Sequence, residues 1–404
     1  MNKKSILDLA IFGGSPLFLS PVHANRPNVG DVDHFFTSAT SIFKNRILTN
    51  NGPLARELEE KLCRYLRVRN CILTANGTSG LSMLIKALDL KGEVIIPSFT
   101  FISTAHALMW SGIRPVFCDV DPVTWSLDAG ASISLISEHT TAIIGTHIWG
   151  RACDVARLEN LCAERGIHLL FDAAHAFGCT YRGEPIGRFG TAEVFSFHAT
   201  KVFHTFEGGA VTTDDDALAE RLRKLRNFGF GDYDRVDMLG TNAKMSEIHA
   251  AMGLANLASI ETTIDRCRSV WEEYRTALNG VRGLTVYARS DSEKSNYHYV
   301  VAEISQAEFG LSRDQLVDVL HSENIYARRY FYPGCHRAEP YRSLFPGAEA
   351  GLPQTREIGE RVIVFPGGAS MEAYDAAEIC ALIRFVADKA EEVASSLAVK
   401  DGHG

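Results

Sequence analysis

Two residues of opposite charge lie at or just after the ends of two successive apolar segments. A carboxylate and an amine placed in this way can take part in the same chemistry. One segment, LLFD, ends at Asp172, and a second, from 192 to 198, is soon followed by Lys201. An ordinary interpretation is a turn-capping aspartate and a solvated lysine, since most lysines are exposed. The alternative is a binding site in which the carboxylate and the amine contact opposite ends of one bound molecule.

Pyridoxal 5'-phosphate is a cofactor that requires both an amine and a carboxylate from its protein. Its aldehyde bonds covalently to a lysine amine, and its pyridine nitrogen pairs with a carboxylate. That pairing keeps the ring protonated, so that the ring accepts electrons when a proton leaves the substrate's alpha carbon. We therefore predict this cofactor, with Lys201 and Asp172 as the catalytic residues.

The residues around this pair carry a family resemblance. The segments DAAHAFG, GRFG, SFHATK and EGGAVTTDD resemble the DegT/StrS family of nucleotide-sugar aminotransferases, which belongs to the fold type I aspartate aminotransferase superfamily. The resemblance runs from about Gly14 to the last predicted helix. It implies that L-glutamate donates an amino group to a nucleotide-linked keto-deoxysugar. The segment ARRYFYP resembles enzymes that aminate C4 of a thymidine-diphosphate sugar, which favours dTDP-4-keto-6-deoxyglucose.

Other roles stay open at this stage. Amination at C3, another nucleotide or a keto-cyclitol acceptor also fits the resemblance, and so does a non-catalytic regulator that binds the cofactor. A dehydrating branch of the family carries histidine at the position of Lys201. The lysine therefore argues against dehydration.

A phosphate site is predicted at the start of the helical segment TANGTSGLSMLIKAL. Apolar residues recur there at helical spacing from Leu81 to Leu88. Gly77, Thr78 and Ser79 then fall at the helix N-terminus, where free N–H groups and the helix dipole favour an anion. An ordinary helix cap has the same appearance, and the resemblance supports the phosphate.

Four further cofactor contacts are predicted. The resemblance implies that Phe101 stacks on the cofactor ring, that His175 contacts the ring hydroxyl and that Asn242 reaches the phosphate of the other subunit. Ser196 is a plausible phosphate ligand because its hydroxyl lies near the strand end that delivers the lysine. The ordinary alternatives are a core phenylalanine, a structural histidine, a helix-capping asparagine and a serine bonded locally.

Substrate contacts are predicted in the segment YFYPGCH, which corresponds to the family's Tyr-Pro-x-x-His segment near the substrate. Arg328, Arg329, Tyr332 and His336 are the candidates for sugar or diphosphate contacts. Arginine suits a phosphate because its planar fork donates two hydrogen bonds at once. For at least one of the two arginines, a solvated surface charge is the alternative.

The order of the segments indicates the fold class. Short apolar segments alternate with helical patterns, which is typical of an α/β domain with a mainly parallel sheet. The resemblance implies a fold type I large domain with a seven-stranded sheet flanked by helices, and a smaller C-terminal α+β domain. We predict an arm over 1–30, the large cofactor-binding domain over 31–260 and the small domain over 261–404. The final residues, KDGHG, are expected to be disordered.

Composition limits the partners of the chain. Of its 404 residues, 46% are hydrophobic and 22% are charged, and the formal net charge of −8 disfavours nucleic acid. Nine cysteines, an odd count without CxxC, favour reduced thiols in a cytoplasmic protein and no metal site. No segment is long and apolar enough to predict a membrane span. We expect a homodimer whose active sites are shared, with the turn LTNNGP and Asn242 closing the neighbour's site.

Overall fold

A computed structural model describes residues 3–24, 26–289 and 292–401. In chain order the strands are β1 (Val22–His23), β2 (Asn70–Thr74), β3 (Glu93–Pro97), β4 (Arg114–Cys118), β5 (Thr140–Thr146), β6 (His168–Asp172), β7 (Thr180–Tyr181), β8 (Glu184–Pro185), β9 (Ala192–Ser196), β10 (Gly209–Thr213), β11 (Phe230–Asp232), β12 (Arg235–Val236), β13 (Leu284–Val286), β14 (Val300–Ile304), β15 (Ile325–Tyr326) and β16 (Val362–Phe365).

The helices alternate with these strands in the first part of the chain and dominate the last part. They are α1 (Val32–Asn45), α2 (Pro53–Leu66), α3 (Gly77–Ala87), α4 (Ile102–Trp110), α5 (Ala129–Leu135), α6 (Val155–Arg165), α7 (Asp216–Arg226), α8 (Glu247–Ala258), α9 (Ile260–Ala277), α10 (Gln306–Phe309), α11 (Arg313–Ser322), α12 (Tyr341–Leu344), α13 (Pro353–Arg361), α14 (Ala373–Asp388) and α15 (Ala390–Asp401).

The large sheet has seven strands in the order β2-β10-β9-β6-β5-β3-β4. Only β10 runs antiparallel to its neighbours, and the other pairings in this sheet are parallel. In β3, Val94 and Ile96 pack into one apolar cluster and Ile95 into another. Since successive strand residues face opposite sides, both faces of the sheet are covered. The predicted seven-stranded, mainly parallel sheet is confirmed.

The parallel register brings several strand ends to one edge of this sheet. Asp172, the last residue of β6, pairs with Thr146 at the end of β5 and with Val194 of β9. Open α/β sheets bind ligands outside the carboxyl ends of such strands. The strand-end location that the sequence predicts for Asp172 is therefore present, and Lys201 follows β9 by five residues.

A second sheet, β13-β14-β16, is antiparallel and has its own apolar core. Helix α9 connects the two parts, because it contributes Ile264 to a core beside the large sheet and Tyr274 to the core of the small sheet. Our predicted boundary between 260 and 261 falls at the beginning of this helix and stays a prediction.

The N-terminal arm packs against the core of the small sheet. Leu9 is fully buried there, and β1 pairs in parallel with β15. The buried carboxylate of Glu323 accepts hydrogen bonds from the Lys3 ammonium at 2.9 Å, the Ala10 N–H at 2.8 Å and the Leu17 N–H at 2.6 Å. Three donors on the arm therefore converge on one side chain.

The structure describes part of the C-terminal tail. Helix α15 continues to Asp401, so residues 400 and 401 are helical although they belong to the tail expected to be disordered. The rest of that tail, 402–404, lies outside the described residues. Within the described ranges, no helix has both the length and the apolar character needed to cross a membrane.

Candidate active site

A cavity of about 700 Å³ opens at the carboxyl edge of the large sheet. The ends of β5, β6 and β9 line it, together with the beginnings of α3 and α4. Of the predicted site residues it brings together Gly77, Thr78, Ser79, Phe101, Asp172, His175, Ser196 and Lys201. Residues that are far apart in the chain are therefore gathered around one space.

Lys201 lies in the turn that follows β9, where its backbone N–H donates to the carbonyl of His198 at 2.9 Å. Its Nζ is 3.3 Å from the hydroxyl of Tyr299. Burial lowers the pKa of Lys201 to about 8, while the nearby Asp172 carboxylate opposes that change. At neutral pH a larger share of this amine is therefore uncharged than of an exposed lysine, whose pKa is about 10.4.

Asp172 is buried and held at both carboxylate oxygens. Its Oδ2 accepts from the Thr104 hydroxyl at 2.8 Å, and its Oδ1 accepts from the Ala174 N–H at 3.1 Å. A buried carboxylate needs such donors, because an unpaired charge away from water is costly. The two bonds fix the direction in which the carboxylate faces the cavity.

His175 is held as a neutral imidazole of defined tautomer. Its Nδ1 accepts from the Trp149 N–H at 3.2 Å. Burial, and then the positive charge of Lys201 and the neighbouring His298, lower the pKa of His175 well below its usual value. A neutral ring that accepts at Nδ1 carries its proton at Nε2. His175 therefore offers one N–H donor at the cavity.

An anion cradle lies at the beginning of α3. The Asn76 side chain caps this helix and accepts from both the N–H and the hydroxyl of Ser79, at 2.8 and 2.9 Å. The N–H groups of Gly77 and Thr78, the first two of the helix, have no acceptor within it. A Cβ on Gly77 would lie 3.1 Å from the Cβ of Ser196, so this glycine permits a close approach of helix and strand. Ser79 is therefore engaged in the helix cap, whereas the N–H groups of Gly77 and Thr78 and the hydroxyl of Ser196 are available to an anion.

Phe101 lies directly before α4 and leaves 51% of its surface exposed. It lines the cavity, and its ring centre is 6.4 Å from that of Phe331 in an edge-on arrangement. By residue type alone this phenylalanine would be a core residue. That alternative is wrong, because half of the side chain is open.

Asn242 is not among the residues that line the cavity of its own chain. It is exposed, and its backbone forms an isolated bridge with Asn227. Ser246, and not Asn242, occupies the N-cap position of the helix that follows. The helix-cap alternative is therefore wrong, and any contact of Asn242 with a cofactor would have to be made in another chain.

The two candidate arginines have different surroundings. Arg328 is exposed, and its guanidinium lies 4.6 Å from the ring centre of Tyr330, which lines the cavity. Arg329 instead pairs with Asp314 at 2.8 Å and with Asp318 at 3.4 Å. Arg328 is not among the residues that line the cavity, but its guanidinium is exposed next to Tyr330, whereas Arg329 is engaged with carboxylates of α11.

Tyr332 and His336 line a separate cavity of about 390 Å³. His336 is buried, with Nδ1 2.6 Å from the Ser98 hydroxyl and Nε2 2.9 Å from a carboxylate oxygen of Glu349. Both ring nitrogens are already hydrogen-bonded within the chain. The structure does not bring these two candidates into the cavity that contains Lys201.

Sequence reasoning missed three residues that contact the site. Tyr299 touches Lys201, Thr104 touches Asp172, and Phe331 lies with its ring stacked at 5.7 Å from His175. Tyr299 belongs to the segment YHYVV, whose residue types favour a strand and give no sign of a contact with Lys201. Thr104 follows Phe101 by three residues, but Ser103 and His106 lie in the same helix, so the sequence did not single out its hydroxyl.

The fold and the site together define a class of protein. An α/β sheet with a lysine, a carboxylate and an anion cradle at its strand ends is typical of fold type I aminotransferases. The model of the DegT/DnrJ/EryC1/StrS aminotransferase family matches residues 31–384. The chain belongs to this family and is an aminotransferase, and the resemblance seen in the sequence is confirmed.

Individual relatives support the same placement. The chain is 35% identical over 353 residues to dTDP-4-amino-4,6-dideoxy-D-glucose transaminase of Shigella dysenteriae, covering 87% of this chain and 95% of the relative. It is 28% identical over 341 residues to GDP-perosamine synthase of Vibrio cholerae, covering 83% and 92%. The crystal structure of DesI, determined in the presence of its TDP-sugar product, is 42% identical with a TM-score of 0.93, covering 98% of this chain and 100% of that one.

Proposed function

We propose that this chain uses pyridoxal 5'-phosphate to move an amino group from L-glutamate to C4 of a nucleotide-linked 4-keto-6-deoxyhexose, with dTDP-4-keto-6-deoxyglucose as the acceptor. The observation that carries the proposal is the Lys201 amine, which faces the same cavity as the Asp172 carboxylate. Its pKa of about 8 makes it a base and nucleophile near neutral pH.

The residues present fit the cofactor at each of its functional groups. Asp172, held by Thr104, would face the pyridine nitrogen and stabilise its proton. The free N–H groups of Gly77 and Thr78 and the Ser196 hydroxyl would hold the phosphate, because such a helix start favours anions. The Nε2–H of His175 would donate to the ring hydroxyl of the cofactor. Phe101 would stack on its ring.

When bound, pyridoxal phosphate withdraws electrons from the carbon that carries the amino group, so that the proton on this carbon becomes removable. Lys201 is the base in reach: its neutral Nζ would take up that proton, and the resulting ammonium group would be the acid that gives the proton back, which restores the neutral amine. Partial burial of Lys201 strengthens its interaction with the Asp172 carboxylate.

The identity of the acceptor is supported by relatives. The Shigella relative is named for the 4-amino-4,6-dideoxyglucose nucleotide, and DesI was determined with a TDP-sugar product. The Vibrio relative, which is named for a GDP sugar, is less similar to this chain, at 28% identity. These names favour thymidine diphosphate over guanosine diphosphate and C4 over C3 for this chain.

A panel of acceptors tests the proposal. Purified protein with pyridoxal phosphate and L-glutamate is offered dTDP-, UDP- and GDP-linked 4-keto sugars, a 3-keto sugar nucleotide and a free keto-cyclitol. We expect a C4-amino product from the dTDP sugar, identified by mass spectrometry and NMR. Exclusive turnover of the cyclitol, or of the 3-keto sugar, would refute the substrate assignment.

A matched pair of lysine variants tests the cofactor assignment. Borohydride should trap the cofactor on the parent chain but not on Lys201→Ala. Lys294→Ala, which removes an exposed lysine paired with Glu261, should be trapped like the parent. Equal trapping in Lys201→Ala would place the cofactor on another residue.

We also propose that the active form is a homodimer with shared sites. Phe36 and Phe43 of α1 are 61% and 72% exposed and lie on one helix face, and Leu48 in the turn LTNNGP is 57% exposed. Such a group of open apolar side chains suits contact with a second chain. Asn242 is exposed outside its own cavity, so a neighbouring chain is where its amide would act.

A further inference from the structure

Tyr299 reaches the reacting amine from the second part of the molecule. It directly precedes β14 of the small sheet, whereas Lys201 follows β9 of the large sheet. The Tyr299 hydroxyl lies 3.3 Å from Lys201 Nζ, and the tyrosine is 2% exposed. This contact therefore joins the two sheets at the centre of the site.

The position of the Tyr299 ring is fixed from several sides. Its centre lies 4.6 Å from the His175 ring and 5.0 Å from the His298 ring. Its backbone carbonyl accepts from the Arg289 guanidinium at 2.9 Å. The hydroxyl is therefore presented to Lys201 by packed neighbours on both sides.

The chemistry of a phenol suits both protonation states of the lysine. A hydroxyl has one proton to donate and lone pairs to accept. An ammonium Nζ–H of Lys201 donates to the Tyr299 oxygen, and a neutral Nζ accepts from the Tyr299 O–H. Burial raises the pKa of Tyr299 well above its usual value, so the hydroxyl keeps its own proton throughout.

We propose that Tyr299 is a further catalytic residue, whose hydroxyl holds the Lys201 amine in one position while the amine gains and loses its proton. The inference rests on the proposed function, since it concerns the same amine. Without this bond, the flexible four-carbon side chain of Lys201 samples other positions, and correctly placed groups are what proximity catalysis requires. A tyrosine that only fills the core would not need its hydroxyl.

Tyr274 provides a matched control. It is fully buried in the core of the small sheet, and among the described residues its hydroxyl has no hydrogen-bond partner. Tyr299→Phe and Tyr274→Phe therefore remove the same atom from two buried rings. Only the first substitution removes a contact with the reacting amine.

The first measurement needs neither cofactor nor substrate. Competitive chemical labelling of the cofactor-free chain, resolved by peptide mass spectrometry, reports the pKa of Lys201. We expect Tyr299→Phe to lower this pKa by roughly one unit, because a hydrogen bond to an ammonium is stronger than one to a neutral amine. Tyr274→Phe should leave the pKa at its parental value. An unchanged pKa in Tyr299→Phe would overturn the inference.

The second measurement uses the loaded enzyme. We expect Tyr299→Phe to reduce kcat by about 10- to 100-fold, with KM for the sugar nucleotide changed less than about twofold. Tyr274→Phe should retain the parental kcat. Parental kcat in Tyr299→Phe would overturn the inference, and so would a rise in KM alone. If the parent chain transfers no amino group to any acceptor, the proposed function fails, and the labelling result still decides the role of the hydroxyl.

Discussion

The Thr104 hydroxyl donates to Oδ2 of Asp172 at 2.8 Å, from the first turn of α4 to the last residue of β6. The same hydroxyl lies 3.3 Å from that of Thr100, which in turn lies 3.0 Å from that of Thr146 on β5. A short series of buried hydroxyls therefore connects the carboxylate to a neighbouring helix and strand. Under the proposed function Asp172 faces the ring nitrogen of the cofactor, and this series would set the direction of its carboxylate.

Substitution of Thr104 tests that relationship. Thr104→Val keeps the shape of the side chain but removes its donor, and we expect about 10-fold weaker binding of pyridoxal phosphate, as for loss of a bond to a charged group. Thr104→Ser retains the donor and should bind the cofactor nearly as the parent does. Dissociation constants follow from absorbance titrations of cofactor-free protein. Parental affinity in Thr104→Val would show that Asp172 needs no such support.

The adjacent arginines give a second prediction. Arg328→Gln should raise KM for the sugar nucleotide by about 10-fold, because it removes an exposed cation packed on Tyr330, which lines the cavity. Arg329→Gln should leave KM unchanged and lower the free energy of unfolding by less than about 1 kcal/mol, since its ion pairs are partly exposed. Steady-state kinetics and urea titrations measure both effects. A larger rise of KM in Arg329→Gln than in Arg328→Gln would reverse the assignment.

The burial of His298 leads us to predict how the free energy of unfolding depends on pH. Its Nε2–H donates to the Thr200 carbonyl at 2.8 Å, and its buried Nδ1 has no partner among the described residues. Burial lowers the pKa of His298 to about 4 from a usual 6.5. The unfolded chain therefore takes up a proton first as pH falls, so the contribution of His298 is complete above pH 6.5 and decreases towards pH 4.

The size of this loss follows from the two pKa values. At 1.36 kcal/mol per unit, His298 alone should lower the free energy of unfolding by about 3 kcal/mol between pH 7.5 and 4. His298→Gln keeps an N–H donor but does not titrate, so its urea midpoint should fall less over this range. Parallel curves for parent and variant would contradict the prediction.

Mixing of two inactive variants tests the shared sites. Lys201→Ala and Asn242→Ala chains should each be impaired alone, and subunit exchange between them is verified first. A heterodimer then contains one site with both defects and one with neither. With random exchange, half of the dimers are mixed, so about one quarter of the parental activity should return. No recovery, or a fully active monomer in light scattering, would remove the case for shared sites.

The sequence was sufficient for the sheet and for the residues that adjoin its strands. Asp172 and Lys201 are placed by local patterns, since an apolar strand followed by a charge is readable without a structure. A Ser followed three residues later by Gln is a spacing typical of a capping box, and Ser312 and Gln315 form one, with the Gln315 N–H donating to the Ser312 hydroxyl at 3.1 Å. In these cases neighbouring residues carry the whole signal.

Contacts between distant segments were not predictable in this way. Tyr299 and Lys201 are 98 residues apart, and no periodicity connects them. His336 has the type of a site residue, but Ser98 and Glu349 occupy both of its nitrogens, and neither contact was visible in the sequence. Residue type identifies what a side chain can do, whereas packing decides whether its atoms are free.

The Glu323 carboxylate has a consequence for how the chain is made. Lys3 and Glu323 are 320 residues apart, and Leu9 enters a core built from segments near the other end of the sequence. During synthesis from the N-terminus, the arm emerges long before its partners exist. Contacts between such distant residues form slowly. The arm leaves the ribosome about 320 residues before Glu323 and is therefore among the last segments to reach its final place.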